Sequence, residues 1–348
     1  MATLPTQDLD DVLELCSEDW QALAGARLFI TGGTGFVGKW LLENLLWAND
    51  HRNLGIFATV LTRDPDRFRA ESPHLAGHRA VELLRGHVHN FDFPGGEFPF
   101  VIHAATERPF EPDAGRPAST FDLDLEGTRR VLEFAQAHGA RRLLFTSSGA
   151  VYGKQPPDLT HVSEDYGGAP LTTDSGSAYG QAKRASEFLC TMYSRQYDFA
   201  ALIARLFAFV GPHLPLDQNL AAGNFIRDAI TGGPIRVRGD GTTCRSYLYA
   251  ADLAVWLWTI LIRGESTRPY NVGSSNSVTV AELARCVSKM TRVEIPVEIA
   301  GIPVPGALTA RYVPSVERAE KELGLQAMIP LGEAVRRTYD WARIRYSR

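Results

Sequence analysis

The chain has 348 residues, of which 45% are apolar and 22% charged, and its formal net charge is −4. This composition is typical of a globular protein with a large core, and it excludes a strongly basic nucleic-acid or membrane-surface binder. The cysteines form no Cys-x-x-Cys pair, so we expect reduced thiols and no metal site. The acidic N-terminus lacks the basic-then-apolar pattern of a secretory signal, which favours the cytoplasm.

Strand and helix patterns alternate from residue 27 onward, after a leading helix predicted over residues 8–24, outside that alternation. The predicted strands are 27–31, 56–62, 80–84, 100–104, 142–147 and 200–207, and the helices between them are 36–47, 120–138 and 177–197. Strands that are apolar on both faces, with helices between them, predict an α/β fold with a doubly wound parallel sheet of the Rossmann type.

Residues 31–40, TGGTGFVGKW, join the first strand to the first helix of this alternation. Gly32, Gly35 and Gly38 allow a tight turn and a close approach of a ligand to the backbone. The helix N-terminus adds unpaired N–H groups and the positive end of a dipole. This position in the chain predicts a site for the pyrophosphate of a dinucleotide.

A second group of polar residues follows the fifth predicted strand. Tyr179 and Lys183 are four residues apart on a predicted helix and so share one face. A nearby ammonium lowers the pKa of a phenol from about 10, which makes Tyr179 a candidate acid or base. Ser147 and Ser148 end the strand, at the edge of the sheet where α/β proteins place their chemistry.

Together these motifs resemble the extended short-chain dehydrogenase/reductases, which include nucleotide-sugar epimerases, dehydratases, decarboxylases and 4-ketoreductases. The resemblance rests on TGGTGFVG, HAA at 103–105, EGT at 126–128, SSGAVYG at 147–153, YGQAK at 179–183, RLFAFVGP at 205–212, RSYLYAADLA at 245–254 and YNVGS at 270–274. It implies three parts: an N-terminal helical extension (1–26), a dinucleotide-binding Rossmann domain (27–207) and a smaller substrate-binding lobe (208–348), with segments around 245–275 returning to the Rossmann domain.

The resemblance also implies roles for individual residues. Tyr179 transfers the proton, Lys183 holds the nicotinamide ribose, and Ser148 hydrogen-bonds the reacting hydroxyl or ketone. The pyrophosphate and the rest of the NAD(P) cofactor are met by Gly32, Gly35, Phe36, Val37, Gly38, Ala104 and Ala105. The nucleotide sugar is expected to contact Asn224, Phe225 and Arg245. The forked guanidinium of Arg245 suits the diphosphate of the nucleotide.

The end of the second strand bears on cofactor choice. NAD-specific members of the family carry an acid there to bind the ribose hydroxyls. This chain has Thr62 at that position and Arg63 next to it. Arg63 can meet a 2′-phosphate, which slightly favours NADP, while Asp64 keeps NAD open.

Two departures from the family pattern concern the reaction. The 4,6-dehydratases carry an Asp-Glu pair where this chain has Gly149 and Ala150. Dehydration is therefore disfavoured, unless Glu111, Glu164 or Asp165 supplies the acid and base. The second departure is Asp124, which stands where the family has asparagine.

These observations predict an NAD(P)-dependent nucleotide-sugar epimerase or 4-ketoreductase that transfers hydride at a sugar carbon, C4 in most relatives. The alternatives are a 4,6-dehydratase or decarboxylase with non-standard acid and base residues, or a reductase of a non-nucleotide ketone, which would not need Arg245. A non-catalytic dinucleotide sensor is disfavoured by the intact Tyr179 and Lys183. The family further implies a homodimer through the helices at 120–138 and 177–197. Phe188, Leu189 and Met192 fit an outer apolar face there, and core packing would explain them as well.

Overall fold

The computed structural model describes residues 3–106, 117–291, 294–304, 306 and 308–346. In chain order its strands are β1 (Arg27–Thr31), β2 (Phe57–Thr62), β3 (Val81–Arg85), β4 (Phe100–His103), β5 (Arg142–Ser148), β6 (Ala200–Leu206), β7 (Phe209–Val210), β8 (Ile235–Val237), β9 (Cys244–Ser246), β10 (Leu248–Tyr249), β11 (Pro269–Val272), β12 (Ser277–Thr279), β13 (Val297–Ile299) and β14 (Arg311–Tyr312).

The helices lie mainly between these strands. They are α1 (Thr6–Leu15), α2 (Ser17–Ala22), α3 (Phe36–Arg52), α4 (Pro65–Glu71), α5 (Pro73–Ala76), α6 (Pro117–Ala137), α7 (Ala178–Gln196), α8 (Ala221–Thr231), α9 (Ala250–Arg263), α10 (Val280–Ser288), α11 (Glu317–Leu323) and α12 (Leu331–Tyr346).

Seven strands form one sheet in the order β3-β2-β1-β4-β5-β6-β11, and every neighbouring pair is parallel. The predicted doubly wound parallel sheet is confirmed, because its six predicted strands are β1 to β6. The strand order reverses between β1 and β4. In open α/β sheets, ligands bind in the crevice at the carboxyl ends of the strands beside such a reversal.

The N-terminal segment differs from its prediction. It forms two helices rather than one, and both precede the strand–helix alternation but pack into the core. Val12 is fully buried, and the Trp20 ring lies 4.9 Å from the ring of Trp258 on α9. Asp8 is also buried and pairs with Arg337 on α12. This contact joins the two ends of the chain.

The turn between β1 and α3 sits at the reversal point, against the backbone that follows β4. Gly32 has a φ of +72°, and a Cβ on it would lie 2.5 Å from the main chain of Ala104 and 2.6 Å from the nitrogen of Ala105. A Cβ on Gly38 would lie 2.2 Å from the carbonyl oxygen of Gly32. These two glycines are therefore required by the packing of the chain itself.

Gly35 differs from both, since it is exposed and a Cβ on it would make only an ordinary 3.4 Å contact. It is the N-cap of α3 and, within the described residues, no side chain caps that helix. The N–H groups of Phe36, Val37 and Gly38 lie in the first turn, where helices have no internal acceptors. The exposed face of Gly35 therefore lies next to these N–H donors, so an anion can reach them.

We expect Gly35→Ala to weaken dinucleotide binding and Gly32→Ala to lower the stability of the fold. Gly35→Ala should change the Tm by only about 2 °C but weaken dinucleotide binding about tenfold, because the added methyl obstructs the ligand and not the protein. Gly32→Ala should lower the Tm markedly, because of both its φ and its contact with Ala104. Thermal melts and calorimetric titration measure the two effects. Unchanged dinucleotide affinity in a folded Gly35→Ala protein would contradict this assignment.

Candidate active site

Ser148 ends β5 at the carboxyl edge of the sheet, where its hydroxyl oxygen accepts a 3.1 Å hydrogen bond from the N–H of Ala150. That bond caps a short 3-10 helix, Gly149–Tyr152. The side chain is buried, which limits its motion. The bond uses an oxygen lone pair, so the O–H of Ser148 remains able to donate to another group.

Tyr179 and Lys183 lie in the first two turns of α7 and approach the end of β5. Tyr179 is half-buried, and its phenol is a hydrogen-bonding neighbour of Ser148. Lys183 is only 3% exposed, and its Nζ donates a 3.3 Å hydrogen bond to the carbonyl oxygen of Thr146. This Nζ is 5.8 Å from the centre of the Tyr179 ring. The structure thus brings together the three residues that the sequence assigns to catalysis.

The electrostatics of Tyr179 differ from the prediction. Burial raises the pKa of the phenol, and the Ser148 side chain opposes the rise. The expected lowering by Lys183 is therefore wrong for the protein alone. Burial also lowers the pKa of Lys183, and the charge of Asp124 opposes that change more than any other neighbour does.

A buried ion pair holds α7 against the sheet. Glu187, one turn after Lys183, accepts hydrogen bonds from Arg205 on β6 at 2.9 and 2.7 Å and from Ser147 on β5 at 2.5 Å. Arg205 also donates a 2.8 Å hydrogen bond to the hydroxyl of Tyr152. These bonds fix the helix relative to the two strands whose ends carry the site.

Tyr312 completes this group, and sequence reasoning missed it. It lies on β14, directly opposite Arg245 on β9, and the Arg245 guanidinium is 5.7 Å from the centre of its ring. Burial raises the pKa of Tyr312, whereas Ser148 and the N–H of Gly149 act as hydrogen-bonding neighbours that lower it. Tyr312 therefore links the paired strands β9 and β14 to Ser148. No motif marks it, because only the pairing of β14 with β9 brings it there.

The position where dehydratases carry an acid is crowded. A Cβ on Gly149 would lie 2.7 Å from both Phe207 Cζ and the hydroxyl oxygen of Tyr312. Contacts this short require neighbouring atoms to move. A side chain at residue 149 would therefore have to displace the ends of these two aromatic side chains.

The other acids considered from sequence are committed to structural contacts or lie elsewhere. Glu164 is buried and accepts a 2.8 Å hydrogen bond from the N–H of Asn271. Asp165 is exposed and pairs with Arg318 at 2.6 Å. Glu111 lies outside the described residues.

The residues that follow β2 include the N-cap of α4. Thr62 is buried, and its hydroxyl accepts a 3.3 Å hydrogen bond from the N–H of Asp64. The Asp64 carboxylate caps α4 by accepting a 3.0 Å bond from the N–H of Arg67. Arg63 is exposed at the carboxyl end of the strand, beside this cap.

The remaining predicted substrate residues lie on α8. The amide oxygen of Asn224 accepts a 3.3 Å hydrogen bond from Arg227. The Phe225 side chain is only 3% exposed and belongs to the core, so only its main chain is available to a ligand. The roles assigned to both residues stay predictions.

Three further observations concern the part of the chain that the structure describes. Within it, no group of three or more His, Cys, Asp or Glu side chains is arranged to hold a metal ion. None of its helices combines the length and apolar character needed to cross a bilayer. All four cysteines are unpaired.

Solved structures share this fold. The chain superposes on a UDP-glucose 4-epimerase from Thermotoga maritima with a TM-score of 0.77 and 20% identity, covering 92% of this chain and 99% of that one. A UDP-glucuronic acid 4-epimerase from Bacillus cereus, solved in complex with NAD, gives a TM-score of 0.76 and 19% identity over 92% and 99% of the two chains.

Sequence comparison identifies the family. UDP-glucuronic acid decarboxylase 5 of Arabidopsis thaliana is 30% identical over 89% of this chain and 87% of its own length. The model of the NAD dependent epimerase/dehydratase family matches residues 28–273, which is more than half of the chain. This protein therefore belongs to the NAD-dependent epimerase/dehydratase family.

Proposed function

We propose that this protein is a nucleotide-sugar epimerase or 4-ketoreductase, in which Tyr179 transfers the proton during hydride transfer at C4 of the sugar. One observation carries the proposal. Ser148, Tyr179 and Lys183 meet at the carboxyl end of β5, while Gly149 and Ala150 supply no elimination acid. This residue set is suited to oxidation and reduction but lacks the extra acid and base that loss of water needs.

The turn at the start of α3 fits a dinucleotide, since Gly35 is open and the first-turn N–H groups lack a side-chain cap. The pyrophosphate would be held there, with Ala104 and Ala105 beside it. When bound, the nicotinamide ring supplies the hydride acceptor and donor. Lys183 would hold the nicotinamide ribose.

In the proposed reaction, Tyr179 and Ser148 act on the reacting hydroxyl of the sugar. Tyr179 accepts the proton of the sugar hydroxyl and returns it in the reverse direction. Ser148 donates to the same oxygen, which stabilises charge as it develops there. Arg245, adjacent to Tyr312, would pair with the diphosphate and place the sugar against both hydroxyls.

Decarboxylation of a nucleotide-linked uronic acid is the second candidate, and similarity to UDP-glucuronic acid decarboxylases favours it. Oxidation at C4 of such a sugar gives a β-keto acid, which loses carbon dioxide when the ketone oxygen is stabilised as an enolate. Ser148 and Tyr179 can supply that stabilisation. Neither an acid at residue 149 nor one at residue 150 is needed for this step.

The reaction is tested by incubating the protein with UDP-glucose, UDP-glucuronic acid and dTDP-glucose and analysing the products by mass spectrometry and NMR. We expect a C4 epimer of unchanged mass, or oxidation at C4 when NADP⁺ is added, which is the reverse of 4-ketoreduction, or, from the uronic acid, loss of carbon dioxide. Tyr179→Phe should reduce turnover by roughly 10²-fold or more with little change in Tm. Tyr193→Phe on the same helix is the matched control and should retain activity. Loss of water from any of these sugars would contradict the proposal.

We also propose that the cofactor site accepts NADP. The family is NAD-dependent by description, and the preference between the two dinucleotides rests on the end of β2. There, Asp64 is engaged as the cap of α4, and Arg63 is an exposed cation at the position that a 2′-phosphate reaches in this fold.

Arg63→Ala should therefore weaken NADP⁺ binding about tenfold and leave NAD⁺ binding within about twofold, because only NADP⁺ carries the 2′-phosphate. Arg67→Ala, which removes another exposed arginine nearby, is the control and should change neither affinity. Tighter binding of NAD⁺ than of NADP⁺ to the unmodified protein, with no effect of Arg63→Ala, would refute the preference.

A homodimer through the outer faces of α6 and α7 is proposed as well. Phe188 and Met192 are 63% and 39% exposed and, four residues apart, share one face of α7. Leu189, expected on that face, is instead only 5% exposed and packs in the core. The outer apolar face is therefore narrower than the sequence suggested.

Light scattering should give the mass of a dimer at micromolar concentration. Phe188→Glu should shift it to a monomer, because a carboxylate would be buried in the interface. Met328→Glu, which places a carboxylate at an exposed apolar position outside α6 and α7, is the control and should leave the dimer intact. A monomeric unmodified protein would remove the proposal.

A further inference from the structure

Asp124 is a buried carboxylate that neither the proposed reaction nor the cofactor site accounts for. It lies on α6 and is only 5% exposed. The hydroxyl of Thr106, just after β4, lies 3.0 and 2.8 Å from its two oxygens. Buried carboxylates are expensive to desolvate and persist where neighbouring charge or hydrogen bonding stabilises them.

The packing of α6 on α7 places Asp124 on the side of Lys183. One turn after Asp124, the hydroxyl of Thr128 lies 3.0 Å from that of Ser186. The Thr128 hydroxyl also donates a 2.8 Å bond to the carbonyl oxygen of Asp124. Because Ser186 is three residues after Lys183, Lys183 and Ser186 share the face of α7 that meets α6.

Among the described residues, few other groups near Lys183 favour its charged form. It is 3% exposed, and its Nζ is hydrogen-bonded to one carbonyl oxygen and stands 5.0 Å from the centre of the Phe145 ring. A buried ammonium tends to lose its proton unless an opposite charge lies nearby.

We propose that Asp124 is a positioning residue that acts through Lys183, holding it as an ammonium beneath Tyr179. The role in catalysis rests on the proposed function, since it is Tyr179 and Lys183 that perform the proposed proton transfer.

Among the residues that the structure describes, other titratable groups face Lys183, and none replaces Asp124. Glu187 on α7 is committed to Arg205 by two hydrogen bonds. Burial raises the pKa of Cys190 on the same helix and lowers the pKa of His103 on β4 to about 3, so both are neutral near pH 7. Beside Tyr179, Tyr312 is a further neutral phenol, since burial raises its pKa.

The direction of the effect follows from the sign of the charge. A negative charge favours the protonated form of every neighbour, and Asp124 accordingly raises the pKa of both Lys183 and Tyr179. Removing that charge should lower both pKa values. The proposed turnover requires Tyr179 to lose its proton and Lys183 to keep its own. Both limbs of the pH profile of turnover should then move to lower pH.

The test is an NMR titration of the protein with ¹³C-labelled lysine. The chain has only five lysines, and Lys183→Arg identifies the Lys183 signal. We expect Asp124→Asn to lower the titration midpoint of Lys183 by on the order of one pH unit. Asp124→Ser, a second variant that removes the charge, should do the same if Asp124→Asn does not fold.

Two control variants separate the charge from the packing. Asp122→Asn makes the same charge change at an exposed position of the same helix, where solvent screens it, and should leave the midpoint in place. Asp124→Glu keeps the charge and should preserve the midpoint. Both limbs of the pH profile of turnover should move only in the two variants that remove the Asp124 charge.

An unchanged Lys183 midpoint in both Asp124→Asn and Asp124→Ser would overturn the proposal, because a purely structural carboxylate would affect the Tm alone. The titration needs no substrate and so is independent of the reaction. A shifted midpoint together with full activity of Tyr179→Phe would support the effect of Asp124 on Lys183 while overturning the proposed function.

Discussion

The ion pair between Glu187 and Arg205 is the interaction on which the candidate site depends. Both side chains are nearly buried, at 10% and 12% exposure, and the pair joins α7 to β6. Ser147 extends the contact to β5. Breaking such a pair by removing one partner typically costs about 3–5 kcal/mol. Since Tyr179 and Lys183 precede Glu187 by two turns and one turn, their distance from Ser148 is set by this anchor.

The side chains packed around Gly149 determine which polar groups line the site. Phe207 and Tyr312 lie where a side chain at residue 149 would extend, and residues 149 and 150 carry no acid. The same packing brings the Tyr312 phenol close to Ser148. A site of three hydroxyl groups and one ammonium is suited to holding an oxygen atom through oxidation and reduction. The reaction outcome then depends on which substituents the sugar carries.

Sequence patterns predicted the sheet well because buried parallel strands are continuous apolar runs. The glycines of the first turn and the Ser148, Tyr179 and Lys183 set were also found, since each is local to a strand end or a helix turn. Tyr312 was not predictable, because it reaches Ser148 only through the pairing of the short strands β14 and β9. The burial of Leu189 and the raised pKa of Tyr179 likewise depend on packing between elements, which local spacing does not encode.

The central claim is that the protein transfers hydride at C4 of a nucleotide sugar, either back to the same sugar or, as a 4-ketoreductase, between the sugar and free dinucleotide. The most direct measurement uses a UDP-sugar carrying deuterium at C4, incubated with the purified protein with and without added NADP⁺. The predicted result is that the deuterium stays on the sugar product or passes to the added dinucleotide. A product whose C4 deuterium has been lost to the solvent would contradict the claim.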